Sequence, residues 1–146
     1  MIGFKKKGKS HTKAVKTVVD GIQFQSKLEV YVYHALKAAK IPADYEKHSY
    51  VLIQGFKSGI ETWTKWKGVY RGRFNKVQPI TYKPDFVCPT EQWVIEVKGR
   101  KFPSFMMRWK LFLRHLTMRE MNTTVYLVSS EKEAKEAIID IQKYFK

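Results

Sequence analysis

Asp85, Glu96 and Lys98 are the residues whose types and spacing could do chemistry. They fall in two β-type runs, Thr81 to Cys88 and Trp93 to Gly99, joined by the turn Pro89-Thr90-Glu91-Gln92. This is how a hairpin reads in sequence. Side chains alternate along a strand, so Val94, Glu96 and Lys98 share one face and Trp93, Ile95 and Val97 the other. An acid and a lysine on an otherwise apolar strand are costly to bury without a partner or a task. Asp85, at the Pro84-Asp85 step, is carried across the hairpin to the same place. Two carboxylates and one lysine suit a hard divalent cation and a phosphate. Mg²⁺ takes one or two carboxylates plus waters and phosphate oxygens. It can polarise a phosphoryl oxygen and generate a hydroxide nucleophile. A lysine beside that water can lower its pKa or stabilise developing negative charge.

The elements that must position these groups follow from the periodicity. Val15 to Phe24 reads as a small hairpin with Asp20-Gly21 at its turn, a dipeptide that suits type I′ geometry. Ser26 to Lys40 is helical, with Leu28, Val32, Ala35 and Ala39 on one stripe. Ser26-Lys27-Leu28-Glu29 also spells a capping box, which gives Glu29 a structural role: its carboxylate can reach back to the Ser26 N–H. Pro42 ends that helix. Tyr45 to Gln54 reads as one strand. Residues 55–80 interleave Trp63, Trp66, Tyr70 and Phe74 with Lys57, Lys65, Lys67, Arg71, Arg73 and Lys76, in a hairpin or long loop turning near Gly68 or Gly72. Such a segment can hold phosphates and stack on unpaired bases; packing of the same aromatics onto the core is the other reading. Backbone contact is expected of Lys65, Lys67, Arg71 and Arg73. Arg100 and Lys101, just past the motif strand, are phosphate-clamp candidates. A helix opens at Phe102-Pro103-Ser104 with Phe105, Trp109, Phe112 and Leu116 as its apolar stripe. Asn122 to Ser130 is a last strand. Ser129 or Ser130 then caps a terminal helix packed through Ala134, Ala137, Ile138, Ile141 and Phe145.

Charge is the outlier in composition. The chain has 28 Lys and Arg against 13 Asp and Glu in 146 residues, a formal net charge of +15. A solvated surface does not need that excess, whereas a polyanion exploits it through counterion release. One compact domain, 17–146, is expected, preceded by a flexible basic arm, 1–16. The single cysteine, Cys88, allows no intrachain disulfide and no thiolate zinc site, and reads as a buried thiol in a reducing cytoplasm. No apolar run approaches membrane-spanning length, so no membrane partner is expected. The basic N-terminus lacks the apolar core of a signal peptide. No glycine-rich nucleotide loop appears.

Pro84-Asp85, a spacer, and Glu96-Val97-Lys98 resemble the PD-(D/E)xK nuclease superfamily. More narrowly, they are similar to phage endonucleases and Holliday-junction resolvases of the endonuclease I type. The upstream segment Val19 to Glu29 shares in the resemblance, which covers Val18 to Gly99 and is looser beyond. It implies an α/β, restriction-endonuclease-like core: a central mixed β-sheet flanked by helices, carrying the basic and aromatic hairpin or loop as an insertion. It implies Mg²⁺, with Mn²⁺ able to substitute. Asp85, Glu96 and the Val97 backbone carbonyl would be metal ligands. Glu29, on the first helix, would join the catalytic set directly or through water, and Lys98 would orient or polarise the attacking water. The implied activity is a metal-dependent endodeoxyribonuclease acting on branched DNA, leaving a 5′-phosphate and a 3′-hydroxyl. A two-fold homodimer is implied too, located in the host cytoplasm if the gene is a phage's. The long insertion departs from endonuclease I. A non-catalytic nucleic-acid-binding protein on the same scaffold is the alternative, against which the intact Asp85, Glu96 and Lys98 argue.

Overall fold

The computed structural model describes residues 15–73 and 76–145, with Thr64, Trp66 and residues 69–73 described through their backbone only. The elements run β1 (Thr17–Val19), β2 (Ile22–Phe24), α1 (Lys27–Ala38), β3 (Asp44–Tyr45), β4 (Tyr50–Ile53), β5 (Phe56–Lys57), β6 (Thr62–Trp66), β7 (Val69–Arg73), β8 (Lys76–Val77), β9 (Ile80–Tyr82), β10 (Phe86–Val87), β11 (Trp93–Val97), α2 (Pro103–Met118), β12 (Thr124–Val128) and α3 (Glu131–Ile141). A short 3₁₀ turn, Gln142–Phe145, follows. Most of the proposed N-terminal arm, 1–14, lies outside the described residues.

The centre is a four-stranded mixed sheet in the order β12-β11-β10-β3. β11 pairs parallel to β12 and antiparallel to β10, and β10 pairs antiparallel to β3. A parallel neighbour needs a crossover, and α2 supplies it between β11 and β12. The alternation expected of β11 is observed. Trp93, Ile95 and Val97 pack into a cluster with Val32 and Leu36 of α1 and Ala134, Ile138 and Ile141 of α3. Val94 joins Phe105, Trp109, Phe112 and Leu116 of α2. The layers are therefore α1 and α3 on one face of the sheet and α2 on the other. This is an α/β architecture with helices on both sides of a mixed sheet.

Local chemistry fixes the ends of these elements. Asp20 (φ 50°) and Gly21 (φ 77°) both adopt positive φ between β1 and β2, as a type I′ turn requires. Ser26 caps α1 by accepting the Glu29 N–H, and Ser130 caps α3 by accepting the Glu133 N–H. Pro103 occupies the first turn of α2, whose cap, Phe102, offers no side-chain acceptor.

Two expectations about strands are corrected. Tyr45 to Gln54 is not one strand: it breaks into β3 and β4, with Glu46 at φ 45° in the gap. Thr81 to Cys88 likewise breaks at Lys83-Pro84-Asp85 into β9 and β10. Both breaks belong to one long antiparallel ribbon. Its pairs nest from Tyr45 opposite Phe86, through Tyr50 opposite Tyr82 and Phe56 opposite Val77, to Trp66 opposite Val69. The register slips along the way, once between Val51 and Ile53. A bulge or break of this kind re-aims the strands. The ribbon turns at Lys67 and Gly68, with φ 48° and 81°. Of the two turn positions considered, Gly68 is the turn, while Gly72 lies within β7 opposite Trp63.

Because Ile95 is fully buried between sheet and helices, Ile95→Ala is expected to cost about 2–5 kcal/mol in urea unfolding. Ile53→Ala, on the exposed ribbon, should stay within about 0.5 kcal/mol of wild type. Equal losses would contradict the placement of the core.

Candidate functional site

Glu96 sits on β11 facing α2, and Lys98 lies one residue beyond the strand. The Lys98 N–H still donates to the Val128 carbonyl (2.8 Å), so the parallel ladder and its alternation carry one step past Val97. The two side chains meet: Lys98 Nζ is 3.1 Å from Glu96 Oε1. The ammonium also lies 5.1 Å from the Phe105 ring centroid on α2, a favourable cation–π placement. Asp85 comes from the break between β9 and β10. β10 pairs with β11 only at Phe86 and Val87, opposite Ile95 and Val94. Beyond that, the Asp85 carboxylate accepts the Val97 N–H (2.7 Å). The structure thus brings Asp85, Glu96 and Lys98 to one end of β11.

Both acids are buried, Glu96 at 3% and Asp85 at 9% exposure. Burial raises the Asp85 pKa to about 8, and the negative charge of Glu96 adds to that; the Val97 N–H works against it. Burial also raises the Glu96 pKa, opposed chiefly by Lys98. Lys98 loses some preference for charge through its own burial. Glu96, with Asp85 and Glu29, outweighs this and holds it above the usual lysine value. Lys98 is therefore a cation at neutral pH, suited to stabilising negative charge and unsuited to accepting a proton.

Glu96 Oε2 and the Tyr82 hydroxyl are buried without a hydrogen-bond partner. The Tyr82 phenol is close enough to Glu96 that the carboxylate, after burial, is the main cause raising its pKa, so it stays protonated. No bond of good geometry closes between the two groups. Both residues line a cavity of about 480 Å³ whose walls also include Lys83, Lys98, Ser104, Phe105 and Arg108. A buried carboxylate oxygen left bare beside an open cavity has capacity for one further cationic or hydrogen-bonding partner. Among the described residues, no group of three or more His, Cys, Asp or Glu side chains is arranged to hold a metal ion. The carboxylates a cation could use here are Asp85 and Glu96.

Glu29 is also buried, at 6% exposure, but its oxygens are engaged. Oε2 accepts the Gln25 N–H (2.9 Å) and the Tyr45 hydroxyl (2.6 Å), and Oε1 accepts the Ser26 hydroxyl (2.8 Å). The capping arrangement closes on the Gln25 N–H rather than the expected Ser26 N–H. Glu29 still acts on the site through its charge, which raises the pKa values of Asp85 and Lys98.

Arg100 and Lys101 are exposed after Lys98 and are not in the cavity wall. The cations that line it with Lys98 are Lys83 and Arg108. Lys65 and Lys67 are exposed on the ribbon, far along the sequence from the motif; the side chains of Arg71 and Arg73 lie outside the described residues. Sequence reasoning passed over Tyr82, Lys83, Ser104 and Arg108. One signal for the last two was available: they stand four apart on α2, one turn along the same face. Cys88 is buried as expected, with Sγ 3.0 Å from the Thr90 hydroxyl. No helix among the described residues is long and apolar enough to cross a membrane.

A family model described as a protein of unknown function (DUF1064) matches residues 9–135, and the chain belongs to that family. Searches of curated proteins and of solved structures return no match.

The raised Asp85 pKa has a pH consequence. Unfolded, the group titrates near 3.8; folded, near 8. Between those values the folded protein keeps a proton that the unfolded chain has lost, so this group's contribution to stability falls as pH rises through the window. Asp85→Asn removes that slope while keeping an acceptor for the Val97 N–H. The melting temperature of Asp85→Asn minus that of wild type, without metal, is expected to grow from about pH 5 to about pH 8. A constant difference would mean that Asp85 is ionised throughout.

Proposed function

We propose that this DUF1064 protein is a Mg²⁺-dependent endodeoxyribonuclease with a restriction-endonuclease-like core of the PD-(D/E)xK type. The observation that carries this reading is the convergence of buried Asp85 and Glu96 with cationic Lys98 at one end of β11. There, Glu96 and Lys98 line a cavity with Lys83 and Arg108, and the second Glu96 oxygen is buried without a hydrogen-bond partner. The donor set suits a hard cation: two carboxylates and the backbone carbonyl of Val97, with Mn²⁺ able to replace Mg²⁺. When bound, such an ion supplies a polarised phosphoryl oxygen and a more acidic water.

The chain's own groups do the rest. Asp85 is fixed by the bond its Oδ2 accepts from the Val97 N–H. Lys98 is held by Glu96 Oε1 and carries a positive charge to the place where a phosphodiester gains negative charge on attack. Its raised pKa supports orientation and charge stabilisation rather than proton abstraction. Glu29 acts from behind, holding the start of α1 against Tyr45 beside the site. Basic residues of the ribbon, Lys65, Lys67, Arg71 and Arg73, with Arg100 and Lys101, are the backbone contacts beyond the cavity. The net charge of +15 supports a nucleic-acid substrate. Branched DNA and a two-fold homodimer, which would place two equivalent cuts, complete the proposal.

A non-catalytic binder is the competing reading. It is favoured by the engagement of Glu29 in helix capping and of Glu96 with Lys98. Linear, flapped and four-way DNA substrates, incubated with Mg²⁺ or chelator and followed by mapping of cut sites, separate the two. Metal-dependent cutting that disappears in Asp85→Ala and Glu96→Ala supports the nuclease; binding without cutting on every substrate would sink it. Lys98→Ala is expected to bind DNA within about twofold of wild type while turnover falls by roughly 10²-fold or more. Parallel loss of both would contradict its assigned role.

A further inference from the structure

The ribbon beyond its root carries side chains that the fold itself leaves unused. Phe56, Ile60 and Trp63 stand 55%, 72% and 67% exposed. Neither aromatic ring meets another ring among the described residues. Trp63 lies opposite Gly72, which has no side chain to cover the indole. Scattered apolar residues on a surface need no explanation, so the charges beside these decide whether a partner fits and of what kind.

Lys57 and Lys76 lie directly opposite each other where β5 pairs with β8, and both are exposed. Among the described residues neither has an acid partner. Like charges in opposed positions destabilise a strand pair, because their Cβ atoms stand only about 5 Å apart. Residues 55–80 hold six Lys and Arg against one acid, Glu61. A carboxylate at either position would turn this repulsion into attraction, and the sequence has none there. An anion seated between the two ammonium groups relieves it. The same lysines line an open cavity of about 540 Å³ with Gly55 and Phe56, so an aromatic ring borders the place where that anion sits.

We propose that the β5–β8 stretch, with Trp63, is a binding platform for an unpaired DNA strand. A backbone phosphate sits between Lys57 and Lys76, and bases stack on Phe56 and Trp63. An unpaired strand offers both chemistries at once, a phosphate for the lysines and a free base face for each ring. A duplex keeps its base faces inside its own stack. A second copy of this chain would bring the same two lysines with it and add to the repulsion. The platform stands apart from Asp85, Glu96 and Lys98, and it takes from the nuclease reading only the identity of the polymer.

The test is fluorescence anisotropy on the full chain with a dye-labelled single strand and with the matching duplex, in EDTA, over a salt series. All four side chains are exposed, so their variants are expected to fold, and melting curves check this. Phe56→Ala and Trp63→Ala should each weaken single-strand binding by about tenfold and leave duplex binding within about twofold. Lys57→Ala should reduce the slope of log K against log salt for the single strand by about 0.7. Lys76→Glu should weaken single-strand binding by about tenfold or more while raising the melting temperature, since it turns a like pair into an opposite one. Equal effects of the ring variants on the two DNAs, an unchanged salt slope, or a Lys76→Glu chain that binds like wild type or melts below it would overturn the platform. So would wild-type binding to anionic phospholipid vesicles that Trp63→Ala abolishes, which would assign the surface to a membrane. A chain that binds in the expected pattern but never cuts with Mg²⁺ keeps the platform and loses the nuclease. A chain that cuts while all four variants bind like wild type keeps the nuclease and loses the platform.

Discussion

Everything near the site depends on a carboxylate buried on the α2 face of the central sheet. Glu96 lies on a strand with neighbours on both sides, β10 and β12, and every residue of that strand is buried. Glu96 is 3% exposed and lines the cavity. A charge there is expensive unless it is paired, and a paired buried charge is still weak as a stabiliser. Lys98 supplies one partner, at a position that the continued ladder to Val128 forces onto the same face. Asp85 makes the problem worse, because a second acid beside the first resists ionisation. A sequence selected for stability alone would place apolar side chains at these positions. The two acids are therefore held closer together, and further from water, than either would be if stability alone set their place.

The rest of the fold serves to keep these groups at one end of β11. Two apolar clusters clamp the strand, one from α1 and α3 and one from α2. The break at Lys83-Pro84-Asp85 lets β9 leave the central sheet and pair with β4 instead. That departure swings Tyr82 onto the α2 side, where it stacks on Phe112 with ring centroids 4.6 Å apart. Asp85 sits at that break, with its carbonyl accepting the Glu46 N–H (2.8 Å) and its carboxylate the Val97 N–H. Pro84 cannot donate to a ladder, and the residue before a proline is restricted as well. The same short stretch therefore sets the strand break, the placement of one acid and one wall of the cavity.

Sequence alone revealed what is local or strictly periodic. The period of two in Trp93 to Lys98 assigns the faces of β11, because a buried strand has no other way to sort its side chains. Asp20-Gly21 and Ser26-Lys27-Leu28-Glu29 reveal a turn and a cap through the chemistry of a few adjacent residues. What stayed hidden depends on distant partners. Tyr45 to Gln54 alternates well enough to read as one strand, and only its pairing with two different stretches, at Phe86 and at Tyr82, divides it. Tyr82 and Arg108 line one cavity only because α2 packs against the root of the ribbon, and neither carries a mark of that in its neighbourhood. Glu29 shows the opposite difficulty: one residue satisfied two readings at once. Its bonds to Gln25, Ser26 and Tyr45 account for its burial without any catalytic task.

The long ribbon leaves the fold beside the site. Two-stranded ribbons are marginal by themselves, because neither face has a second layer to pack on. This one is anchored at its root, where Tyr50 and Tyr82 pack against α2. Further out it exposes Phe56, Ile60 and Trp63 together with several lysines. Apolar exposure of that extent is unfavourable in water, and mixed aromatic and basic character matches the chemistry of nucleic acid better than that of a protein core. The root residues of the ribbon are also residues of the cavity wall, Thr81, Tyr82 and Lys83. The outer ribbon is therefore continuous, through β9, with the break that carries Asp85. The position of that acid relative to Glu96 and the seating of the ribbon on α2 share one structural element, so a change in either has a consequence for the other.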